Sequence, residues 1–415
     1  MNNLLPLVPR KPMLSLDDAV TQLLVDVTPL ATSECIRTFD ADGRVLAQDV
    51  VSALQVPPHD NSAMDGYAVR CADLTAGVQL PVTQRIAAGS VGAALAPMST
   101  ARIFTGAAIP LGADAVVMQE DCMLQEDGSV RFVRSVALGS NIRRAGEDVD
   151  RGAVVLRRGE RLTPASLGLA ASLGLGELAV ARPPRVALFS TGNELVMPGE
   201  VAPEHLPPGA IYNSNRFFLR AMLLRLGCEV TDLGNVPDQL DATVAALREA
   251  AQAHDVILTS GGVSVGEEDH LKPAVQALGH LDLWQIAIKP GKPFAHGRIG
   301  QGGAHVFGLP GNPVASFVTF VLLVRPMLLR LQGVQDVTTT SIAAKADFTW
   351  ARADKRREFL RARRNARGDL VLFPNQGSGV LTSLVWGDGL VDVPPGDTIA
   401  PGDVVRFIPF AEVLA

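Results

Sequence analysis

Arg185-Val186-Ala187-Leu188-Phe189-Ser190-Thr191-Gly192-Asn193-Glu194 reads as a strand over 185–190 that runs straight into a glycine turn. An apolar run of this length, closed by turn residues, suits a strand covered on both faces. Working outward, the same texture recurs. After the linker Arg182-Pro183-Pro184 come helix 214–226 closed by Gly227, strand 229–233, helix 239–253 and strand 255–260. Helix 267–278, strand 304–309 and helix 313–331 follow. Strands alternating with helices predict a doubly wound α/β domain over 182–332, with a parallel sheet covered on both faces. Val314 to Leu331 approaches membrane-span length, but Arg325, Pro326 and Arg330 interrupt it, so a buried helix and no membrane span are expected.

On the N-terminal side, Ser15 before Leu16-Asp17-Asp18 is a capping-box-like start for a helix running toward Leu24. From Gln55 the pattern changes. Val56-Pro57-Pro58 forces extended backbone, and short runs such as Arg102-Ile103-Phe104 and Ala115-Val116-Val117-Met118 follow, which predicts a small β domain over 55–148. Thr163-Pro164 is an N-cap and N1 pair, and Gly174 stops a helix over 164–173 that is expected to lie beside the N-terminal one. The β domain then becomes an insertion into a helical N-terminal unit made of 1–54 and 149–181. Beyond Gly333, short runs at Glu358–Arg364 and Val404–Pro409, with turns at Pro374-Asn375, Gly387-Asp388-Gly389 and Pro394-Pro395-Gly396, predict a C-terminal β-barrel-like domain over 333–415. The fold class expected is therefore multidomain α/β plus β.

A chain of 415 residues exceeds what one core organises, which agrees with several compact units. Its 37 Lys plus Arg against 43 Asp plus Glu give a net charge of -6, which argues against general nucleic-acid or anionic-membrane binding. An anionic ligand must then be held by a local basic cluster. The 4 cysteines, Cys35, Cys71, Cys122 and Cys228, are scattered without metal-ligand spacing and read as reduced thiols. The first residues, MNNLLPLVPRKP, lack the apolar core of a secretory signal, so a cytoplasmic location is expected.

Ligands of open α/β sheets bind beyond the carboxyl ends of the strands, where loops present free backbone N–H groups. Three such loops occur: Ser190-Thr191-Gly192-Asn193-Glu194, Ser260-Gly261-Gly262-Val263-Ser264-Val265-Gly266 and Leu309-Pro310-Gly311-Asn312-Pro313. None is a Walker or GxGxxG sequence, which sets aside ordinary P-loop and nicotinamide enzymes. One such loop alone is more simply a tight turn; three converging ones point to an anion site. Carboxylates stand beside them at Glu194, Asp238, Glu267, Glu268 and Asp269, and magnesium takes one or two such oxygens together with phosphate oxygens. The plain alternatives are an N-cap for Asp238 and helix-dipole partners for Glu267 and Glu268, which leaves Asp269 the most specific candidate. Lys289-Pro290-Gly291-Lys292-Pro293 is rigid and basic and reads as an anion clamp or a solvated turn. In Lys355-Arg356-Arg357-Glu358-Phe359-Leu360-Arg361, alternation puts Arg357, Phe359 and Arg361 on one face; such runs usually solvate an edge strand. Asp60-Asn61-Ser62-Ala63-Met64-Asp65-Gly66-Tyr67-Ala68 reads as an ordered functional loop, or as an Asx-type turn held by Asp60 and Asp65. His59, His254, His270 and His296 have no spacing that compels a catalytic role.

Taken in order, the Asp60–Ala68 segment, Thr105-Gly106-Ala107, Arg143-Arg144-Ala145-Gly146-Glu147-Asp148, the three loops and the Lys289–Pro293 segment resemble the molybdopterin molybdenumtransferase family, which includes the gephyrin E domain. The resemblance spans nearly the whole chain. It implies a four-domain homodimer whose active sites lie at the subunit interface, between the α/β domain of one chain and the β domain of the other. It also implies a magnesium-dependent transferase that joins molybdate to adenylylated molybdopterin with release of AMP, and contact with the adenylyltransferase of the same pathway. By position, Asp60, Thr105, Asp148, Asp269 and Lys289 match residues tied to activity, and Glu194, Asp238 and Asp269 match residues tied to metal. Gly261, Gly262, Ser264, Lys289, Lys292, Pro310, Gly311, Arg356 and Ser378 are the expected substrate contacts. The chain departs from the family pattern at Gln285, where some members carry lysine, and before Arg356, where the usual glycine is absent. The rival readings are the adenylyltransferase of the preceding step, which leaves the Asp60 loop unexplained, and a non-catalytic scaffold.

Overall fold

The computed structural model describes residues 13–414 apart from 26, 76, 264–269 and 301–302, and apart from the side chains of 283 and 284. In the α/β region six strands form one sheet in the order Glu229–Val236, Arg185–Thr191, Val256–Ser260, Ala304–Leu309, Pro293–Ile299, Gly279–Gln285. The first four are parallel, as expected, and the last two run antiparallel at the edge. The sequence reading missed this edge hairpin, because GHLDLWQ and PFAHGRI carry polar residues and a leading proline where a buried strand reads as continuous apolar.

Alternation along the parallel strands separates two cores. Val186, Leu188, Val256 and Leu258 pack with Leu219, Met222 and Leu223 of helix Asn215–Arg225 and with the long helix from Pro313. Ala187, Phe189, Ile257 and Val306 face the other way, against helices Leu240–Ala253 and Leu271–Leu278. The predicted helix 313–331 is present but not uniform. It runs α-helical over Pro313–Thr319, widens to a π turn over Phe320–Val324 and resumes over Arg325–Leu331. Pro326 lacks the N–H that Leu322 would accept, and the widened turn absorbs that loss. This helix is long and apolar enough to cross a membrane, yet 89% of its most apolar stretch is buried inside the fold.

The first helix, Leu16–Val25, corrects an expectation. Its apolar residues Leu16, Ala19 and Leu23, spaced for one helical face, belong to the α/β core beneath the long helix. They do not meet helix Pro164–Ser172, whose Ala170 sits in a separate core with Leu46, Val50, Leu156, Leu178 and Val180. The N-terminal unit is thus held by strand pairing more than by helices: Ser33–Arg37 runs antiparallel to Glu177–Ala181, and Val50–Val51 to Val154–Leu156. Between these segments lies a six-stranded sheet ordered Ala115–Met118, Gly66–Val69, Thr100–Ile103, Gln79–Ile86, Ser129–Phe132, Cys122–Leu124. In the C-terminal region Arg357–Arg364, Gly389–Val393, Val404–Pro409 and Ile342–Lys345 pair in sequence. Leu370–Leu372 pairs back on Arg357–Arg364, and a bridge from Ala346 to Leu370 closes the ring.

Two connections fix the α/β region relative to its neighbours. Arg182, in the linker, forks onto Asp255 with both bonds at 2.7 Å, and the Arg185 N–H adds a third at 2.8 Å. Burial raises the Asp255 carboxyl, but the Arg182 fork, the Arg185 N–H and the charges of both guanidinium groups together outweigh it and hold the group below the usual carboxylate range. The second connection is a two-residue strand, Ile288–Lys289, that leaves the α/β region to pair parallel with Arg357 and Glu358 of the C-terminal sheet.

Candidate active site

The four parallel strands end on one edge, and the loops that follow them surround a cleft of about 970 Å³. Its walls include Gly261, Gly262, Lys289, Lys292, Pro310, Gly311, Arg356 and Ser378, with Glu194 and Asp238 on the same lining. These ten positions, scattered over 185 residues of sequence from Glu194 to Ser378, share one cavity.

The glycine loop is demanded by close approach. Gly261 has φ +97°, and a Cβ there would stand 2.4 Å from the carbonyl oxygen of Thr191; at Gly262, φ +65°, it would meet the Thr191 hydroxyl at 2.9 Å. Gly311 is different: its φ is ordinary and an added Cβ meets nothing within 4 Å, so the fold itself tolerates a side chain there. Asn215 ties the loops together. Its Nδ2 donates to Ser260 Oγ at 2.8 Å and to the Gly311 carbonyl at 2.7 Å. The sequence reading missed Asn213, Asn215 and Thr191 as a group, although the last belongs to a quoted loop. Thr191 Oγ1, Asn213 Nδ2 and Asn215 Oδ1 are buried without a hydrogen-bond partner among the described residues. Polar capacity is therefore concentrated in this wall, where a ligand's own donors and acceptors would offset its cost.

On the opposite side the basic residues are held by acids. Lys289 Nζ reaches Glu358 Oε1 at 2.7 Å and Asp354 Oδ2 at 3.3 Å. Asp354 also accepts from Arg356 at three atoms, its backbone N (3.0 Å), Nε (3.1 Å) and Nη2 (3.0 Å). Glu358 takes a further bond from Trp350 Nε1 at 3.0 Å. The Glu358 hydrogen bond, with Asp354 behind it, raises the Lys289 ammonium above its usual value, and the Arg356 fork holds Asp354 far below the carboxylate range. Both side chains are thus held in place, and Lys289 keeps its charge at neutral pH. The expectation that the 355–361 run solvates an edge is overturned: Glu358 is 2% exposed and Arg361 0%, because the strand lies between Ile288–Lys289 and Gly389–Val393.

Glu194 and Asp238 are the acidic lining. The Glu194 carboxylate folds over Gly192, where an added Cβ would meet it at 2.5 Å. Asp238 is not the N-cap: Gln239 holds that position of helix Leu240–Ala253, without a side-chain capping bond. Asp269, Ser264, Glu267 and Glu268 lie outside the described residues. Among the described residues no group of three His, Cys, Asp or Glu stands ready for a metal. Two carboxylates on a cleft wide enough for phosphates fit magnesium, which takes part of its shell from ligand and water, better than a cage-bound ion.

Asp60, Thr105 and Asp148 do not line this cleft; they belong to the inserted β region. Asp60 accepts from the Ala145 N–H at 2.9 Å and from Arg144 Nη1 at 2.6 Å. Thr105 donates from both its backbone N and its hydroxyl to Asp65 Oδ1, each at 2.8 Å. These bonds cross 85 and 40 residues of chain, so neither aspartate forms the local Asx-type turn considered above. The Ala145 N–H, helped by Arg144, lowers the Asp60 carboxyl despite some burial, and the Thr105 N–H and hydroxyl do the same for Asp65.

Comparison with known proteins agrees with this architecture. Family models described as "MoeA N-terminal region (domain I and II)", "Probable molybdopterin binding domain" and "MoeA C-terminal region (domain IV)" match residues 14–174, 187–330 and 343–410. The chain is 45% identical over 322 residues to a "Molybdopterin molybdenumtransferase" of Haemophilus influenzae, covering 77% of this chain and 78% of that one. It is 35% identical over 409 residues to a protein of the same name from Synechococcus elongatus, covering 95% and 99%. A crystal structure of the "molybdopterin biosynthesis moeA protein" from Pyrococcus horikoshii OT3 superposes with TM-score 0.83 at 29% identity, over 95% of this chain and 99% of that one. With three successive family models along its length and relatives of this name over most of it, the chain belongs to the molybdopterin molybdenumtransferase family.

Proposed function

We propose that the chain is a transferase that inserts molybdate into adenylylated molybdopterin and releases AMP, using the cleft at the end of the α/β sheet. One observation carries this reading: Lys289, Arg356 and Ser378 meet the glycine loops and two carboxylates around a single cavity. Molybdate and an adenylyl phosphate repel one another, so cations fixed in advance must hold them together. Lys289 and Arg356, pinned by Asp354 and Glu358, keep that geometry without reorganising when the anion arrives. The Ser378 hydroxyl and Lys292 add donors, and the backbone at Gly261, Gly262 and Gly311 leaves room for a phosphate or pterin to come close. Glu194 and Asp238, with Asp269 as the third candidate ligand, would hold magnesium, which when bound would supply positive charge beside the leaving phosphate.

Asp60, Thr105 and Asp148 enter this scheme only from a second copy of the chain, which makes a homodimer with its active sites at the interface part of the proposal. A division into 1–54 with 149–181, less the helix Leu16–Val25 that packs on the α/β core, then 55–148, 182–332 and 333–415, a cytoplasmic location and delivery of substrate by a pathway adenylyltransferase belong to the same reading.

The test is AMP release from purified chain given adenylylated molybdopterin, molybdate and magnesium. Inactive Asp60→Ala and inactive Lys289→Ala chains, co-expressed, are expected to recover about a quarter of wild-type turnover, since half of random dimers carry one intact site of two. No recovery on mixing would mean that both groups act within one chain or that Asp60 serves the fold alone.

A further inference from the structure

Among the residues that read as a solvated basic run, one guanidinium is completely enclosed. Arg361 is 0% exposed and is the largest fully buried side chain among the described residues. Its Nε donates to Ser383 Oγ at 3.0 Å, its Nη1 to the Phe359 carbonyl at 3.3 Å and its Nη2 to the Gly377 carbonyl at 3.1 Å. All three acceptors are neutral. Arg357, on the same strand, is answered by Asp392 at 2.6 Å, but no described carboxylate forms an ion pair with Arg361. Burial pushes its guanidinium down to about 10, still charged at neutral pH. An enclosed cation without a counter-charge is destabilising, and an apolar side chain of similar length would fill the space at lower cost.

The same residue grips one wall of the cleft. Its N–H donates to Gln376 Oε1 at 2.9 Å, and its carbonyl accepts from Gln376 Nε2 at 3.0 Å and from the Phe373 N–H at 3.1 Å. With the side-chain bond to Gly377, this fastens a segment whose continuation, Ser378 and Gly379, lines the cavity. The Ser378 carbonyl in turn accepts from Val314 N at 2.9 Å, at the first turn of the long helix. The C-terminal sheet therefore reaches the α/β loops through a segment anchored on one charged side chain.

We propose that Arg361 is a positioning residue of the oxyanion subsite: it fixes the Gln376–Gly379 segment over the cleft, and the anion bound there answers its charge. The identity of that anion as molybdate rests on the function proposed above. Low local polarity carries the influence of a buried charge to a neighbouring cavity that water would otherwise screen.

The experiment compares wild type, Arg361→Lys and Arg361→Met as full-length chains, with molybdate itself as the probe in titration calorimetry. Hydrogen exchange at residues 377–379 is measured without ligand. Arg361→Met is expected to weaken molybdate about tenfold and to speed exchange at 377–379, while Arg361→Lys, which keeps the charge and loses the fork, recovers most of the affinity but not the protection. In turnover the loss falls on KM for molybdate rather than on kcat. Equal affinity in wild type and Arg361→Met overturns this inference and leaves the proposed function standing. A wild-type chain that binds no molybdate overturns the proposed substrate and, with it, the counter-charge assigned here. Should Arg361→Met fail to fold, Arg361→Lys decides, and wild-type exchange at 377–379 in that variant overturns the positioning role.

Discussion

In the cleft, the Lys289 side chain stays 45% exposed, with its ammonium between Asp354 and Glu358 and a cavity in front of it. Across the inserted β sheet, Asp60 and Asp65 engage Ala145, Arg144 and Thr105 and close loops far apart in sequence. Both regions use carboxylates against donors, yet the outcomes differ. In the first, acids buried behind the cleft, Asp354 at 20% and Glu358 at 3% exposure, immobilise a cation that lines the cavity; in the second, the acid is itself only half-buried, Asp60 at 36% beside Arg144 at 57%, and neither lines that cleft. A charged motif therefore gains its role from how deeply its acid is buried and from whether a cavity stands before its cation.

The largest effect that would break this contrast concerns Lys289. Removing one preorganised donor from an oxyanion site costs on the order of a hundredfold in turnover. Lys289→Ala is expected to lose at least about that much AMP release while its near-ultraviolet circular dichroism stays native, and a rate close to wild type would place the oxyanion elsewhere.

A smaller effect separates the two regions by acid. His296 is 4% exposed, stacked on His305 with ring nitrogens 3.1 Å apart and lying over Phe307. Burial, with His305, Arg298 and His280 adding to it, pushes His296 down to about 3, and Asp282 at 3.5 Å does not offset that. An unfolded histidine titrates near 6.5, so between about pH 6.5 and 3 only the unfolded chain takes up this proton. The stabilising contribution is complete above about 6.5 and falls by about 1.4 kcal/mol per pH unit below it. Asp60 and Asp65 have carboxyls lowered from 3.8, so what they contribute persists to about pH 4 and is lost only further down. Urea melts followed by hydrogen exchange should show the α/β region weakening first between pH 6 and 4, and His296→Phe should flatten that slope. If the inserted sheet goes first, or the slope survives the substitution, the two regions do not differ in this way.

The smallest effect sharpens the reading of the β cluster. Arg144 is 57% exposed and Asp60 36%, so their ion pair is screened by solvent. Arg144→Ala should shift stability by no more than about 0.5 kcal/mol in urea denaturation. A loss several times larger would make this cluster a keystone of the sheet instead of a surface that meets a partner.

Much of this molecule was legible locally. The apolar run before Gly192 predicts its own strand, and Thr163-Pro164 predicts the capped helix Pro164–Ser172, because propensity and capping act within a turn or two of chain. The glycine pair at 261 and 262 announces close backbone approach wherever it is placed. The edge hairpin Gly279–Gln285 with Pro293–Ile299 was not legible, nor was the burial of Glu358 and Arg361, since each depends on a neighbour distant in sequence. Asn215 shows the limit clearly: alone it is one polar residue at a helix start, and only folding brings Ser260 and Gly311 to its amide.

By itself, the sequence determined the alternation of strands and helices, the turns and the family, all of which reside in short-range periodicity and in the order of motifs. Tertiary structure alone decided that Leu16–Val25 joins the α/β core, that Ile288–Lys289 crosses to the C-terminal sheet, and that Asp354 and Glu358 become the partners of Lys289. The physical reason is range. Backbone preference is set by neighbours along the chain, whereas burial, ion pairing and the cleft arise where segments hundreds of residues apart exclude water together.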